Sequence, residues 1–392
     1  MIRKLLNHIH IILPTTFVMA VIYYLIHAMS IGRDGRFGSD YVVQITEGIN
    51  PDIPNYTLLA IVMRFCYAIT HDTKGIVLFM VLCYFFATLL IYRYFKQSGE
   101  ETGILWYLAL SVLFIESIYL PQVHEVFQLN VNMPIRLITI VGQPWHNSTY
   151  ASSRVFDLAG LLVLLRVIEG GKKEENVKNW ILLLATFGIA NAIKPSYFIC
   201  LAPALLIWGI WKLIRNPRYF GTLFYCASAL VLSMIPLLYQ YLVLFGADDG
   251  NSWTATWELF SQYVLRVETI YYLFTDLGMP IMVSIMLIVR KRFTDDMAIS
   301  WLTLIVSIII SRLLWEVGPR MYDGNFIWGR YAAGFMLYVV CLKKMIELRK
   351  EEKSQNTFRS AWLKLAFAMY ALNVINGIMY FGIILSGYTY AI

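Results

Sequence analysis

The chain has 392 residues, of which 59% are hydrophobic and only 15% are charged. Soluble domains carry about 25% charged residues, so this composition excludes an ordinary soluble protein and predicts an all-α, polytopic membrane protein. The net charge of +7 is typical of basic cytoplasmic loops, and we expect no nucleic-acid partner. The five cysteines have no CxxC spacing, which indicates small core residues and neither a disulfide framework nor a metal site.

Apolar runs of about 20 residues, the length that crosses a bilayer as a helix, recur along the whole chain. We predict a single integral membrane domain over residues 1–392 with about 11 spans, at 10–31, 75–95, 103–120, 154–170, 179–194, 196–213, 219–245, 270–290, 298–315, 330–345 and 361–387. The run 56–70 is apolar but too short to cross independently. It predicts an amphipathic helix at the membrane interface.

The turns that follow alternate spans are short and basic, as in KKEENVKN (172–179) and RKRFTDD (290–296). By the positive-inside rule these turns are cytoplasmic, which predicts a multi-pass cell-membrane protein with a cytoplasmic N-terminus. The loops on the other side are longer and mix charged residues with aromatics, prolines and amides. Long loops of this kind tend to carry function, so we expect a site on the outer face, formed by loops 32–74, 121–153, 246–269 and 316–330.

The first of these loops contains the stretch RDGRFGSDYVVQITEGINPDIPNYTLLAI (33–61). Asp40 follows a Gly-Ser pair and precedes a segment that could form a short helix. From this loop alone, Asp40 is as well explained by helix capping as by a catalytic role. Asp34 and Asp52 lie beside glycine or proline, which is typical of turn residues.

The second loop ends in GQPWHNSTY (142–150) and also contains Glu125. Trp145, His146 and Asn147 suit sugar recognition, because an aromatic face stacks on a sugar ring and an amide bonds its hydroxyls. The alternative is that Trp145 belongs to the interfacial aromatic belt and that Asn147 or Ser148 caps the helix that follows.

Two further segments place charged residues at the predicted outer boundary. Lys194 precedes Pro195 at the end of one span, where a lysine either binds an anion or extends to the interface. The segment SRLLWEVGPRMYDGNFIWGRYAAG (311–334) contains Glu316, Arg320, Asp323 and Arg330. Glu316 and Arg320 could form a simple surface ion pair. Charges at membrane depth are costly and therefore usually functional or paired, and arginine suits bidentate phosphate binding.

The order of a first span, an acidic residue in an outer loop, a P-x-Y-x-L-L helix and a second span resembles the membrane glycosyltransferases of the C-type fold (GT-C). These enzymes use polyprenyl-phosphate sugars. The resemblance covers about the N-terminal two hundred residues, and the residues that carry it are Asp40, Pro54, Tyr56, Leu58, Leu59, Lys194 and Pro195. The loop has Ser39-Asp40 where many members have a paired acidic motif. This departure leaves the identity of the base and the need for a divalent metal ion open.

The resemblance implies an inverting transfer of a hexose or pentose from a polyprenyl-phosphate donor to a cell-envelope glycan or lipid-linked acceptor. Asp40 would be the general base that deprotonates the acceptor hydroxyl. Lys194, Arg320 and Arg330 would bind the lipid phosphate. The residues that would line the sugar or acceptor site are Glu125, Trp145, His146, Asn147, Glu316 and Asp323.

Three other classes of protein remain open from the sequence. A polysaccharide polymerase of the O-antigen or capsule type has a similar number of spans and uses outer-loop arginines, but its donor is a polyprenyl-diphosphate oligosaccharide. A lipid or solute transporter is disfavoured because ionisable residues are sparse within the spans and no inverted repeat is visible. A structural membrane protein is disfavoured by the chemistry of the outer loops.

Overall fold

The computed structural model describes residues 16–17, 20–21, 40–50, 56–99, 102–118, 139–142, 147–245, 252–255, 267–317, 325–352 and 359–386. Most of the predicted first span, 10–31, lies outside these ranges, and its described residues 16–17 and 20–21 are helical.

The described residues are predominantly helical, as the composition predicts. The helices are α1 (Asp40–Ile49), α2 (Leu58–Thr70), α3 (Gly75–Lys96), α4 (Thr102–Ser111), α5 (Ser148–Gly170), α6 (Val177–Ile193), α7 (Ser196–Arg215), α8 (Phe220–Leu232), α9 (Ile235–Phe245), α10 (Val267–Val289), α11 (Asp295–Leu313), α12 (Trp328–Glu352) and α13 (Arg359–Ser386). The other described elements are three single-turn 3-10 helices (Val112–Phe114, Gly171–Lys173 and Pro217–Tyr219) and two short strands, β1 (Ser252–Ala255) and β2 (Leu314–Val317).

Six helical segments of the described chain are long and apolar enough to cross a bilayer, which confirms a multi-pass helical architecture. They are Gly75–Lys96, Ser196–Arg215, Pro217–Val243, Tyr271–Val289, Asp295–Leu313 and Ala361–Gly382. The apolar helices Gly103–Phe114 and Val177–Ile193 are shorter than a full span. Helices α5 and α12 are long enough but carry charged residues within their length. The count of about 11 spans therefore stays a prediction.

One end of the helix bundle is held together by ion pairs, and we call it the Asp296 end. Asp296, at the start of α11, accepts hydrogen bonds from Lys344 of α12 at 2.9 Å and from Tyr94 of α3 at 3.4 Å. Beside it, Lys212 at the end of α7 lies 2.7 Å from the carboxylate of Asp295. The ends of α3, α7 and α12 thus meet the start of α11, which requires the helices to alternate in direction.

The opposite end, which we call the Trp328 end, brings together the complementary helix termini. Trp328 begins α12, Thr149 lies in the first turn of α5, and Lys194 directly follows α6. Lys194 contacts both Thr149 and Trp328. The sequence prediction of alternating spans is consistent with this arrangement, because residues assigned to one side of the membrane do meet at one end of the bundle.

Helix α2 confirms that the run 56–70 is helical. Thr57 caps it by accepting a hydrogen bond from the backbone N–H of Ala60 at 3.2 Å. Leu59 and Met63 are buried, whereas Phe65 and Ile69 on the other side are about two-thirds exposed. An apolar exposed face next to a packed face is the pattern of a helix that lies in an interface, and its membrane location stays a prediction.

The β1–β2 ribbon is a departure from the all-α expectation. The two strands pair antiparallel, with Trp253 opposite Glu316 and Thr254 opposite Trp315. The sequence gives little sign of it, because each strand has only four residues and β2 continues directly from the apolar helix α11. The ribbon joins the loop segments 246–269 and 316–330, which the sequence analysis had assigned to one site.

The predicted span 219–245 is divided into two helices. Helix α8 ends at Leu232 and α9 begins at Ile235. The cause is Pro236, which lacks a backbone N–H and whose ring would collide with the carbonyl four residues earlier, that of Leu232. The break is therefore encoded locally, and the carbonyl groups that it frees need other partners.

Candidate functional site

The structure describes five of the ten predicted site residues. Glu125, Trp145, His146, Arg320 and Asp323 lie outside the described residues. The five that are described are Asp40, Asn147, Lys194, Glu316 and Arg330. Lys194 and Arg330 lie at the same end of the bundle, together with Asn147 and the start of the β2 segment.

Lys194 is held in a defined direction by its backbone. Its φ and ψ of −155° and 108° are extended, as expected for a residue that precedes a proline, so helix α6 ends there. The Nζ atom donates to Thr149 Oγ1 at 3.3 Å and lies 4.8 Å from the ring centroid of Trp328. A half-buried ammonium over an indole face is a favourable cation–π arrangement.

A continuous series of aromatic rings extends from Trp328. Its ring centroid lies 6.1 Å from that of Tyr150 and 6.0 Å from that of Tyr331. The guanidinium of Arg154 lies 5.5 Å from the Tyr150 ring, and that of Arg330 lies 5.5 Å from the Tyr331 ring. We call this set the Trp328 cluster; its members are Tyr150, Arg154, Lys194, Trp328, Arg330 and Tyr331.

Arg154 was not predicted as a site residue. It lies one helical turn after Tyr150, and only 1% of it is exposed. Its guanidinium is also 4.8 Å from the ring of Tyr84 and 4.7 Å from that of Phe335. The available signal was an arginine at the start of the predicted span 154–170, because a charge in a membrane helix is usually functional or paired.

Gly329 permits the close approach of α12 to α7. A Cβ atom at this position would lie 2.5 Å from Cys200 Sγ and 2.6 Å from the carbonyl oxygen of Ser196. Both distances are shorter than any ordinary Cβ contact, and one of them is to backbone. Trp328 can therefore reach Lys194 only because residue 329 has no side chain.

Asn147 is the N-cap of α5, which was the alternative that the sequence left open. Its Oδ1 atom accepts hydrogen bonds from the backbone N–H of Tyr150 at 2.8 Å and from Thr149 Oγ1 at 2.7 Å. Asn147 is buried. By fixing the hydroxyl of Thr149, it also fixes the partner of Lys194, and its predicted contact with an acceptor remains untested.

Helix α1, which begins at Asp40, is attached to this end of the bundle. Ser148 Oγ donates a hydrogen bond to Gln44 Oε1, which connects α1 to the start of α5. Asp40 precedes Gln44 by four residues, about one helical turn. Because residues four apart share a helix face, the backbone places Asp40 on the face of α1 that is attached to α5.

The other end of α1 is tied to α2. Arg64 Nε donates to the carbonyl of Gly48 at 2.7 Å, and its guanidinium also bonds to the carbonyl of Asn50. Carbonyls at the end of a helix have no intrahelical partner, so Arg64 acts as a C-terminal cap for α1. Together with the Gln44 contact, this fixes α1 between α2 and the start of α5.

Glu316 is the carboxylate that the structure places in the β ribbon. Both of its Oε atoms accept hydrogen bonds from Asn325 Nδ2, at 3.0 and 2.8 Å. Glu316 is buried and borders a small cleft, which is lined by Ser311, Leu314, Trp315, Glu316, Asn325, Phe326 and Ile327. Glu316 and Asn325 are thus bonded to each other beside a cleft about the size of one water molecule, and the contact of Glu316 with a sugar stays a prediction.

A buried carboxylate that the sequence analysis missed supports the loop between α4 and α5. Asp276 of α10 accepts hydrogen bonds at Oδ2 from Ser117 Oγ at 2.7 Å and from the backbone N–H groups of Ile140 and Val141, at 2.6 and 3.3 Å. Thr139, the residue before Ile140, forms a hydrogen bond with Tyr331 of the Trp328 cluster, with 3.1 Å between the two hydroxyl oxygens. Asp276 therefore anchors residues 139–142 against the Trp328 cluster.

The cluster has the chemistry of an anion site at the boundary of a membrane bundle. Arginine and lysine side chains bind phosphate through charge-assisted hydrogen bonds, and aromatic rings favour the interfacial region. Among the described residues, no group of three or more His, Cys, Asp or Glu side chains could hold a metal ion. The alternative of a divalent metal ion at this site stays open.

Comparisons of the chain with protein-family models, with curated proteins and with solved structures find no match.

Proposed function

We propose that the protein is an integral membrane glycosyltransferase that transfers a sugar from a polyprenyl-phosphate donor to a cell-envelope glycan or a lipid-linked acceptor. The observation that carries the proposal is the position of Lys194, which lies over Trp328 and bonds to Thr149 at the end of the bundle. A donor that is already in the membrane can present its phosphate at this depth. The aromatic rings around it suit the apolar chain and the sugar face.

The lipid phosphate would be held by Lys194 together with the nearby guanidinium groups. Arg330 was expected in this role, and Arg154 joins it because both flank the same series of rings. Burial strengthens the interaction of a cation with phosphate, because water competes less for the charge. Arg320 lies outside the described residues. It is also proposed to bind the phosphate, because it lies in the chain between β2 and α12.

In the transfer step, the carboxylate of Asp40 would accept the proton of the acceptor hydroxyl. The acceptor oxygen then forms a bond to the anomeric carbon, with inversion, and the bond from that carbon to the phosphate oxygen breaks. Polyprenyl phosphate leaves with the electron pair. Lys194 and the arginines stabilise the negative charge that develops on the leaving phosphate.

The acceptor would bind on the side of the cluster formed by the loops. Glu316, with Asn325 and the cleft beside the β ribbon, is the described part of this region. The other residues proposed to contact the sugar or the acceptor are Glu125, Trp145, His146, Asn147 and Asp323. Asn147 acts at least partly through its capping of α5.

The Trp328 end is proposed to face the outside of the cell. The basic turns, among them Lys172, Lys173 and Arg292, lie at the Asp296 end, where Arg292 pairs with Glu351. The positive-inside rule assigns that end to the cytoplasm. This gives a cytoplasmic N-terminus and an outward site in the cell membrane.

The test uses the full chain in lipid nanodiscs with polyprenyl-phosphate hexoses and pentoses as donors. We expect transfer with a monophosphate donor, and a loss of at least ten-fold in donor affinity in Lys194→Ala. The matched control is Lys212→Ala, because Lys212 is also a lysine over aromatic rings, 5.6 Å from Trp208 and 5.1 Å from Tyr219, but lies at the Asp296 end.

The same assay separates the polymerase alternative. A polymerase would extend a polyprenyl-diphosphate oligosaccharide and would not use the monophosphate donors. No transfer with any monophosphate sugar, or equal losses in Lys194→Ala and Lys212→Ala, would overturn the proposed function.

A further inference from the structure

The break between α8 and α9 lies against the end of the helix that leads to Lys194. Ser233 and Met234 separate the two helices, and Pro236 prevents the regular hydrogen bond to Leu232. Backbone carbonyls freed inside a membrane bundle need partners from neighbouring helices. At this break Asn191 supplies a partner for the carbonyl of the next residue, Ser233: its Nδ2 atom donates to the Ser233 carbonyl oxygen at 2.9 Å.

A second contact runs in the opposite direction, from α9 to α6. Gln240 Nε2 donates to the carbonyl of Asn191 at 3.0 Å and to the carbonyl of Ala192 at 2.8 Å. The last four carbonyls of a helix have no intrahelical partner, so one side chain satisfies two groups that would otherwise be orphaned. Asn191, Ser233 and Gln240 are all buried.

These contacts form a reciprocal clasp, which we define by Asn191, Ser233 and Gln240. Asn191 is three residues before Lys194, and Ala192 is two residues before it. With the Lys194 N–H bonded to the carbonyl of Ala190 at 2.7 Å and Pro195 restricting the backbone that follows, the clasp fixes the point at which the lysine leaves the helix.

We propose that Gln240 is a positioning residue that holds Lys194 over Trp328 and Thr149, and so sets the affinity of the site for a lipid-linked phosphate. The inference rests on the proposed function for the identity of that ligand, but the positioning itself does not. Gln240 lies on α9, which supplies no member of the Trp328 cluster. It acts through the backbone of α6 and needs no contact with substrate.

The alternative explanation is that Gln240 only satisfies buried carbonyl groups and contributes to the stability of the fold. The two explanations differ in what happens at Lys194. If the clasp only stabilises the fold, its loss lowers the melting temperature and leaves the local environment of Lys194 unchanged. If it positions the lysine, its loss changes the exposure and direction of the Nζ atom in protein that is still folded.

The variant that tests this is Gln240→Met, because methionine has a similar length and cannot donate the two hydrogen bonds. The matched control is Asn179→Leu, which removes a buried amide from the other end of α6, the helix that carries Asn191. Asn179 Nδ2 donates to the carbonyl of Glu174 at 2.8 Å. Asn191→Leu is the second test variant, since it removes the link to Ser233 and leaves Gln240 in place.

The first measurement is independent of any enzyme activity. Each folded variant in nanodiscs is treated with an amine acetylating reagent, and the rate of modification at every lysine is followed by mass spectrometry. We expect Gln240→Met and Asn191→Leu to change the rate at Lys194 several-fold relative to Lys212, and Asn179→Leu to leave that ratio as in the parent protein. An unchanged ratio in Gln240→Met overturns the proposal, as does a lower melting temperature without a selective change at Lys194.

The second measurement is the affinity for polyprenyl phosphate, added to nanodiscs as a defined lipid. We expect Gln240→Met to weaken binding several-fold and by no more than Lys194→Ala does, because Gln240 acts only through Lys194. The double variant Gln240→Met/Lys194→Ala should bind no more weakly than Lys194→Ala alone. Additive losses would overturn the positioning role. Failure of the parent protein to bind polyprenyl phosphate would instead overturn the proposed function, while the acetylation result would still decide the positioning role.

Discussion

The Nζ atom of Lys194 lies 4.8 Å from the ring centroid of Trp328, although the two residues are in different helical segments and far apart in the chain. Lys194 is placed by the end of α6 and by Pro195, and Trp328 by the start of α12. Their meeting defines one end of the bundle as an aromatic and cationic site. The other end is held by ordinary ion pairs such as Lys212–Asp295.

Replacement of Trp328 tests the contribution of the indole ring to this site. A cation–π contact contributes about 0.5–2 kcal/mol, so Trp328→Leu should weaken donor binding by about two- to thirty-fold, and Trp328→Phe by less. The measurement is a donor titration in nanodiscs. The control is Trp211→Leu, because Lys212 lies 5.4 Å from the ring of Trp211 at the opposite end. Comparable losses in both leucine variants would contradict a specific role for Trp328.

Replacement of Gly329 tests whether donor binding requires the close approach of α12 to α7. Gly329→Ala would place a Cβ atom 2.5 Å from Cys200 Sγ and 2.6 Å from the carbonyl of Ser196. We expect the start of α12 to move outward, with a loss of donor binding and of about 1–3 kcal/mol in stability, as for other overpacked positions. Gly188→Ala is the control, because no atom lies within 4 Å of its added Cβ. Equal melting temperatures for the two variants would contradict the close approach.

Replacement of Asp276 tests whether this carboxylate holds residues 139–142 in place. Asp276→Ala would leave the Ser117 hydroxyl and the N–H groups of Ile140 and Val141 without their acceptor. A buried polar group left unsatisfied costs about 1–3 kcal/mol, so we expect a large drop in melting temperature in detergent and faster amide hydrogen exchange at 139–142. Thr275→Val should cost much less, because it removes 3.2 Å hydrogen bonds to Asp276 Oδ1 and to the carbonyl of Tyr271 and leaves Asp276 Oδ2 with its partners. Unchanged exchange at 139–142 would show that the loop is held by other contacts.

The proposed orientation is tested with single cysteines in a background from which the five native cysteines are removed. His71, after α2, and Lys172, after α5, are both exposed and belong to opposite sides of the predicted topology. An impermeant maleimide should label His71→Cys in intact cells, and should label Lys172→Cys only after permeabilisation. The reverse pattern would place the Trp328 cluster in the cytoplasm and contradict an outward site.

The architecture could be predicted where a local pattern determines it. Apolar runs predicted the long helices, and the apolar run 56–70 predicted α2, which the structure shows to be capped by Thr57. Pro236 also indicated the division of 219–245 into two helices. The sequence analysis missed it because the high mean hydropathy of the run predicted one continuous span. The β ribbon could not be anticipated, because a four-residue strand next to an apolar helix has no distinguishing period.

The sequence predicted which types of residue form the site better than it predicted which of those residues contact one another. Lys194 and Arg330 were singled out as charges at a membrane boundary. The same argument would have identified Arg154 and Asp276, which the sequence analysis missed. What the sequence could not give is which rings those cations would face. Trp328, Tyr150 and Tyr331 come from two helices, and only packing decides that they are neighbours.

The role of Asp40 is the most demanding prediction. Asp40 begins α1, which is attached to α5 through Gln44 and Ser148 and to α2 through Arg64. These attachments hold both ends of α1 against neighbouring helices, and a general base requires such a fixed backbone, whereas a solvent-exposed connector does not.

We therefore expect Asp40→Asn to abolish sugar transfer while folding and donor binding stay close to those of the parent protein. Loss of a general base typically lowers the rate by about a hundred- to ten-thousand-fold. Transfer is measured under saturating donor, and donor binding is measured separately, so that a loss in kcat is distinguished from a loss in affinity. The controls are Asp34→Asn and Asp52→Asn, which lie beside glycine or proline in the same loop and should cost far less. If Asp40→Asn keeps near-normal turnover, Asp40 serves only the start of α1, and the base has to be sought among Glu125, Glu316 and Asp323.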